Sequence, residues 1–128
     1  MTLDLIIVDR EFTFRTALVG MAQFEKINVV DFHNEIEAYR FLAGQEEVPR
    51  AYFVDIGRPT DHPEEMATCL RIHDWAKAHR STENFYFMVM DIAYVQRYLK
   101  PFVDSKVKVI CKNKPEELFR VINQLAHP

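Results

Sequence analysis

Residues 51–59 read AYFVDIGRP, an apolar run closed by Asp55 and broken at once by Gly57 and Pro59. An aspartate in that position caps a turn, ligates a hard cation or attacks as a nucleophile. Comparable positions follow other apolar runs: Asp9 and Arg10 after LDLIIV, Met90 and Asp91 at the end of NFYFMVM, and Cys111 and Lys112 after KVKVI. Two acids and a lysine brought to one edge form a constellation with chemical potential, provided the fold gathers them. Other chemistries find less support. His33, His62, His73, His79 and His127 show no i, i+3 or i, i+4 pair of the kind that places two metal ligands on one helix face. Cys69 and Cys111 lie far apart and read as reduced, packed thiols. With 3 glycines, none in a G-x-G-x-x-G or P-loop arrangement, there is no phosphate cradle of that type and little support for an enzyme or cofactor protein.

The bulk numbers restrict the setting. A chain of 128 residues, 48% hydrophobic and 27% charged, is expected to form one globular domain over residues 1–128 with its own core. A net charge of −3 offers no basic field for nucleic acid. The apolar runs are only a few residues long, against the roughly 20 that span a bilayer, so no membrane association is expected. The opening MTLDLIIVDRE carries Asp4 and Asp9 where a secretory signal would be basic, and the expected compartment is the cytoplasm.

The elements that must position these residues alternate. Strands are expected at 3–8, 27–32, 51–56, 84–90 and 106–110, the middle three nearly all apolar as in parallel strands covered on both faces. FTFRTALVGMAQF (12–24) spaces Phe14, Ala17, Leu18, Met21 and Phe24 along one helical face. NEIEAYRFLAG (34–44) has Asn34 to cap its start and Gly44 to stop it. PEEMATCLRIHDWAKAH (63–79) opens on Pro63 and two acids, which suits the helix dipole, and carries Trp75 as a core or rim residue. Further helices are expected in IAYVQRYLKPF (92–102) and KPEELFRVINQLA (114–126). Five β-α units predict an α/β fold: a doubly wound, parallel five-stranded sheet of strand order 2-1-3-4-5, with function at the carboxyl ends of the strands.

With VDRE at 8–11, VDIGRP at 54–59 and CKNKPEEL at 111–118 in that order, the chain resembles the receiver domain of bacterial response regulators over essentially its whole length. The lysine-proline pair in YLKPF is a decoy. Lys100 follows Met90 by only ten positions, too few for a helix and a strand, whereas Lys112 follows by 22. The resemblance implies that Asp55 corresponds to the aspartate phosphorylated by a histidine kinase. It further implies a Mg²⁺ ion held by Asp55, an acid such as Asp9 and the Gly57 carbonyl, with Lys112 as the closing lysine.

Several positions depart from that pattern. Arg10 stands where the second acid belongs, Met90 where a Ser or Thr belongs, Asp91 where a small residue leaves an entrance, and Val109 where a switch aromatic belongs; Asn113 replaces the proline after the lysine. Asp9 and Asp55 against Arg10 and Lys112 sum to neutrality, so the Arg10 guanidinium is expected to fork onto Asp55 or Asp9 in the metal's place. The alternative turns Arg10 to solvent and lets Asp91 or Glu11 supply a third carboxylate. The expectation is therefore a degenerate receiver: a non-enzymatic signalling module without a cofactor, against an alternative that binds Mg²⁺ and accepts a phosphoryl group on Asp55. Receivers commonly dock effectors or dimerise through their fourth helix, fifth strand and fifth helix. The resemblance places a protein partner, a kinase, effector or second copy, on Tyr94, Tyr98, Phe102, Lys106 and Lys108.

Overall fold

The computed structural model describes residues 3–56, 63–90, 92–93, 99–103 and 105–128. Five strands, β1 (Leu5–Val8), β2 (Val29–Phe32), β3 (Ala51–Asp55), β4 (Phe85–Val89) and β5 (Lys108–Cys111), form one parallel sheet in the order β2-β1-β3-β4-β5. The helices are α1 (Phe12–Phe24), α2 (Glu35–Ala43), α3 (Pro63–Ala78) and α4 (Glu116–Ala126). This is the doubly wound topology expected from the β-α alternation.

Alternation along the central strands explains why helices cover both faces. Successive side chains of a strand point to opposite sides. Ile6, Val8, Tyr52, Val54, Phe85 and Phe87 pack with Ala38 and Leu42 of α2 and with Cys69, Ile72 and Ala76 of α3. Leu5, Ile7, Phe53, Tyr86 and Met88 pack on the other side with Leu18 and Ala22 of α1 and with Leu118, Val121, Ile122 and Leu125 of α4. Aromatic pairs tie the layers, with Tyr52 stacked on Phe85 at 4.9 Å and Phe53 meeting Tyr86 edge-on at 5.8 Å. Trp75 is half-buried against the first cluster and stacks on His79, the rim position its sequence context implied.

Some boundaries differ from expectation. Among the three strands read as fully covered, β2 lies at the sheet edge and its residues are half-buried or exposed, while β1 takes the interior place. In α1 the buried stripe runs through Leu18 and Ala22 with Phe14 and Met21 beside it; Ala17 is exposed and Phe24 is 84% exposed. The contact with α4 and the sheet turns that helix away from the face its largest side chains marked. α2 is capped as expected, Asn34 Oδ1 accepting from the Glu37 N–H at 2.8 Å, and ends at Gly44. β5 begins at Lys108, so Lys106 sits in the preceding turn and not in the strand. The helix expected over 92–102 falls largely outside the described residues; Ile92 and Ala93 are helical, and Lys100–Phe102 forms a 3-10 turn at Pro101, which has no N–H to donate. α4 starts at Glu116, with Pro115 as its N-cap. Among the described residues, no helix is long and apolar enough to cross a membrane.

Candidate functional site

Register brings the sequence-predicted residues to one edge. Val8, Asp55, Val89 and Cys111 end neighbouring strands, and backbone bonds continue the alignment past them: Asp9 N–H to Phe32 O at 3.0 Å, Ile56 N–H to Met88 O at 3.2 Å and Lys112 N–H to Val89 O at 2.8 Å. Asp9, Asp55 and Lys112 meet there. Lys112 Nζ lies 2.9 Å from Asp9 Oδ2, 3.1 Å from Glu11 Oε2 and 3.8 Å from Asp55 Oδ1, and 4.9 Å above the centre of the Phe14 ring. A single ammonium therefore faces three carboxylates and an aromatic face.

Each member is held by local structure. Asp9 Oδ1 accepts the Glu11 N–H at 2.8 Å, an Asx-type turn that carries the chain from β1 into α1. Asp9 Oδ2 is buried with Lys112 as its counter-charge but has no donor aligned on it. Burial raises the Asp9 pKa above the usual carboxylate value, against the opposing pull of the Glu11 N–H and Lys112. Burial also draws the Lys112 pKa downward, but Asp55, Asp9 and Glu11 together outweigh it and the net shift is upward. Asp55 keeps a 13% exposed side chain, and its carbonyl accepts from Cys69 Sγ at 3.4 Å. Arg15 fastens the same corner, donating to the Asp9 carbonyl at 2.6 Å and to Asp31 at 3.0 Å.

The expected fork of Arg10 onto Asp55 or Asp9 is corrected. Arg10 Nη2 donates to Glu35 Oε1 at 2.9 Å, and its side chain is 51% exposed while that of Glu35 is 6% exposed. Glu35 stands in the first turn of α2, where the helix dipole favours an acid, and a buried carboxylate needs a cation more than a hydrated one does. The charge balance changes accordingly. Among the described residues, Arg10 pairs with Glu35 while Glu11 joins Asp9 and Asp55 around Lys112, so these contribute three acids and one lysine in place of the neutral set expected from Asp9, Asp55, Arg10 and Lys112.

The other expected positions are distributed as follows. Met90 lies just beyond β4, 60% exposed, and its side chain offers no hydrogen-bond donor. Val109 is half-buried in β5. Lys108 reaches back over Tyr86, with Nζ 3.3 Å from the phenol oxygen. The peptide after Lys112 is trans. Gly57, Asp91, Tyr94 and Tyr98 lie outside the described residues, as does the side chain of Phe102. Sequence reasoning gave no role to Glu35, Arg15 or Phe14. An acid in the first turn of a helix that starts at the same sheet edge was the one available signal for Glu35.

Among the described residues the oxygen donors at this edge are Asp9, Glu11 and Asp55, gathered around Lys112. A hard octahedral ion wants several oxygens converging on one vacant point. Here an arginine occupies the second acid position and, among the described residues, no three acidic, His or Cys side chains converge as metal ligands; Gly57 and Asp91 are not among them.

No protein-family model matches the sequence, and no curated protein sequence matches it. Solved structures do. A CheY-like response regulator receiver domain from Methanospirillum hungatei superposes with a TM-score of 0.68 at 16% identity, covering 98% of this chain and 94% of its own. A chemotaxis response regulator of Vibrio cholerae gives 0.67 at 13% identity, covering 98% and 99%. The response regulator TrrA of Thermotoga maritima, solved with Mg²⁺ and BeF, gives 0.66 at 18% identity, covering 97% and 99%. Likeness at this level of identity establishes architecture, and the architecture of this chain is that of the CheY-like receiver fold.

Proposed function

We propose that the protein is a receiver-like interaction module that works through protein contacts, without phosphoryl transfer and without enzymatic activity of its own. The observation that carries this reading is the arginine in the second acid position, Arg10, whose guanidinium pairs with Glu35, beside Met90 where a hydroxyl residue would read a phosphoryl group. In-line phosphoryl transfer draws most of its charge stabilisation from metal ions placed between carboxylates and phosphoryl oxygens. A tethered ammonium supplies one positive charge, fixed in place, and Met90 supplies no donor to read a phosphoryl group out. The cluster then acts as a permanent joint between β1, β3 and the segment after β5. A kinase, effector or second copy recognised on the outer helices and on β5 is the partner class this reading implies.

One observation favours a second reading. Glu11 brings the carboxylate count to three, and Asp55 remains partly exposed, so phosphorylation on Asp55 with Glu11 in the missing acid's role is the competing function. Beryllofluoride with Mg²⁺ separates the two. The first reading predicts no change in the amide spectrum around Asp55 for the natural chain, and a gain of Mg²⁺-dependent shifts in Arg10→Asp/Glu35→Gln, which restores the acid and removes the stranded one. Saturable shifts in the natural chain would favour the second reading.

A further inference from the structure

The two edges of the sheet are finished differently. β5 carries Lys108, an exposed charge of the kind that discourages another strand from pairing. β2 reads Val-Val-Asp-Phe, and its one charge is drawn off the edge, Asp31 accepting from Arg15 of α1 at 3.0 Å. The main chain of β2 is only half used. The Asn28 and Phe32 carbonyls accept from Leu5 and Asp9 at 3.1 and 3.0 Å. With the two-residue period of a strand, Val30 also faces β1, whereas Val29 and Asp31 direct their N–H and C=O groups away from the sheet. Among the described residues, β1 is the one strand bonded to β2. Donors and acceptors spaced in this way fit another extended backbone.

We propose that a second copy of this chain supplies that backbone, β2 pairing antiparallel with β2 about a two-fold axis at Val30, so that the two sheets become one. A two-fold axis makes an edge meet itself, and the chain selects among the possible registers. With the axis at Val30, Val29 of each copy exchanges both main-chain bonds with Asp31 of the other, which satisfies every outward group of β2. With the axis at Val29, Asp31 would face Ile27, whose N–H is already bonded to the Ala22 carbonyl at 3.2 Å. With the axis at Asp31, two carboxylates would lie directly opposite each other, which destabilises a strand pair. An axis between residues sets outward groups against inward ones.

Side chains favour the same register. Phe32 comes opposite Asn28 of the other copy, at the mouth of a groove of about 280 Å³ that Val30, Phe41 and Gln45 also line. Beyond the paired residues, the Lys26 end of one copy meets the Asn34–Glu37 end of the other, cation toward acid. Glu47 lines the groove, where it accepts the Leu3 N–H at 3.2 Å, with Glu46 beside it in sequence. The one acid on the facing strand, Asp31, projects to the opposite side of the sheet, toward Arg15. This dimer goes beyond the reading above: it uses neither β5 nor the edge around Asp55, and holds whether or not Asp55 is phosphorylated.

Disulfide trapping and sedimentation equilibrium test it. The axis sets the two Val30 residues in a non-hydrogen-bonded pair with Cα atoms about 4.5 Å apart, within the span a disulfide bridges. Val30→Cys should become a covalent dimer under mild oxidation. His33→Cys, exposed on the continuation of the same segment, should stay monomeric in a denaturing gel, as should the natural chain, whose Cys69 is buried and Cys111 half-buried. In sedimentation from micromolar to millimolar concentration, the natural chain should show a monomer–dimer equilibrium whose Kd rises about tenfold or more in Val29→Pro. Proline at that position removes an N–H that the folded monomer leaves facing outward, and circular dichroism verifies that the variant folds. A natural chain that stays monomeric, equal trapping of Val30→Cys and His33→Cys, or a dimer indifferent to Val29→Pro overturns the proposal.

Discussion

Lys112 and Asp9 decide the behaviour of the site because both are buried and each is the other's main compensation. Their side chains are 5% and 0% exposed. Removing one partner of such a pair leaves a desolvated charge, which costs about 3–5 kcal/mol. Lys112→Met should therefore lower the unfolding free energy by about that amount in a urea titration at neutral pH. The deficit should shrink as pH falls through the raised Asp9 pKa and its carboxyl takes up a proton, and Asp9→Asn/Lys112→Met should recover most of it. A loss below about 1 kcal/mol would mean the cluster is solvated. The alkaline side has its own signature. Burial pushes the Tyr52 pKa up to about 12, opposed by its hydrogen bond with Ser81, and the carboxylates hold the Lys112 pKa above its usual value despite burial. Both groups keep their protons longer in the folded chain than in the unfolded one. Their contribution is complete below about pH 10 and is lost as pH rises through the folded values, roughly 2–3 kcal/mol over two pH units for Tyr52. Tyr52→Phe should flatten the decline above pH 10, and an unchanged slope would contradict the assignment. At this scale the sequence was partly legible. Asp9, Asp55 and Lys112 were found because strand ends converge in any parallel sheet, whereas Arg10 was misplaced because its partner Glu35 lies 25 positions away and only the packing of α2 beside β1 brings it near.

Helix ends show how elements stop in a chain with so few glycines. α1 and α3 both close on a left-handed residue that is not glycine, Lys26 at φ 61° and Arg80 at φ 54°. The bonds are those of a Schellman motif: Lys26 N–H to Gln23 O and Ile27 N–H to Ala22 O after α1, Arg80 N–H to Lys77 O and Ser81 N–H to Ala76 O after α3. A side chain in that region is strained by about 1 kcal/mol relative to glycine, so Lys26→Gly and Arg80→Gly should each raise the thermal midpoint by a few degrees. A fall in either melt would show that the residue's side chain outweighs its backbone strain. Element positions were readable wherever local chemistry was explicit, as with Asn34 and Gly44 around α2. The reading failed where tertiary contact chose among similar options. The buried stripe of α1 follows Leu18 and Ala22 because the sheet and α4 lie there, leaving the bulkier Phe24 outside, and β5 starts two residues later than its lysine alternation implied.

The whole molecule separates support from display. Side chains of β1, β3 and β4 alternate between two helical layers, so the central strands are covered on both faces, and the outer helix surfaces, the edge strands β2 and β5 and the carboxyl edge are left to display. That topology was legible from the regular exchange of apolar runs and amphipathic stretches. What the carboxyl edge does chemically was not, since it depends on which cation stands among the acids. The direct measurement is intact mass after incubation with acetyl phosphate and Mg²⁺, run beside Asp55→Asn. A site closed by Lys112 predicts an unchanged mass in both; gain of one phosphoryl group by the natural chain, absent from Asp55→Asn, would contradict the account.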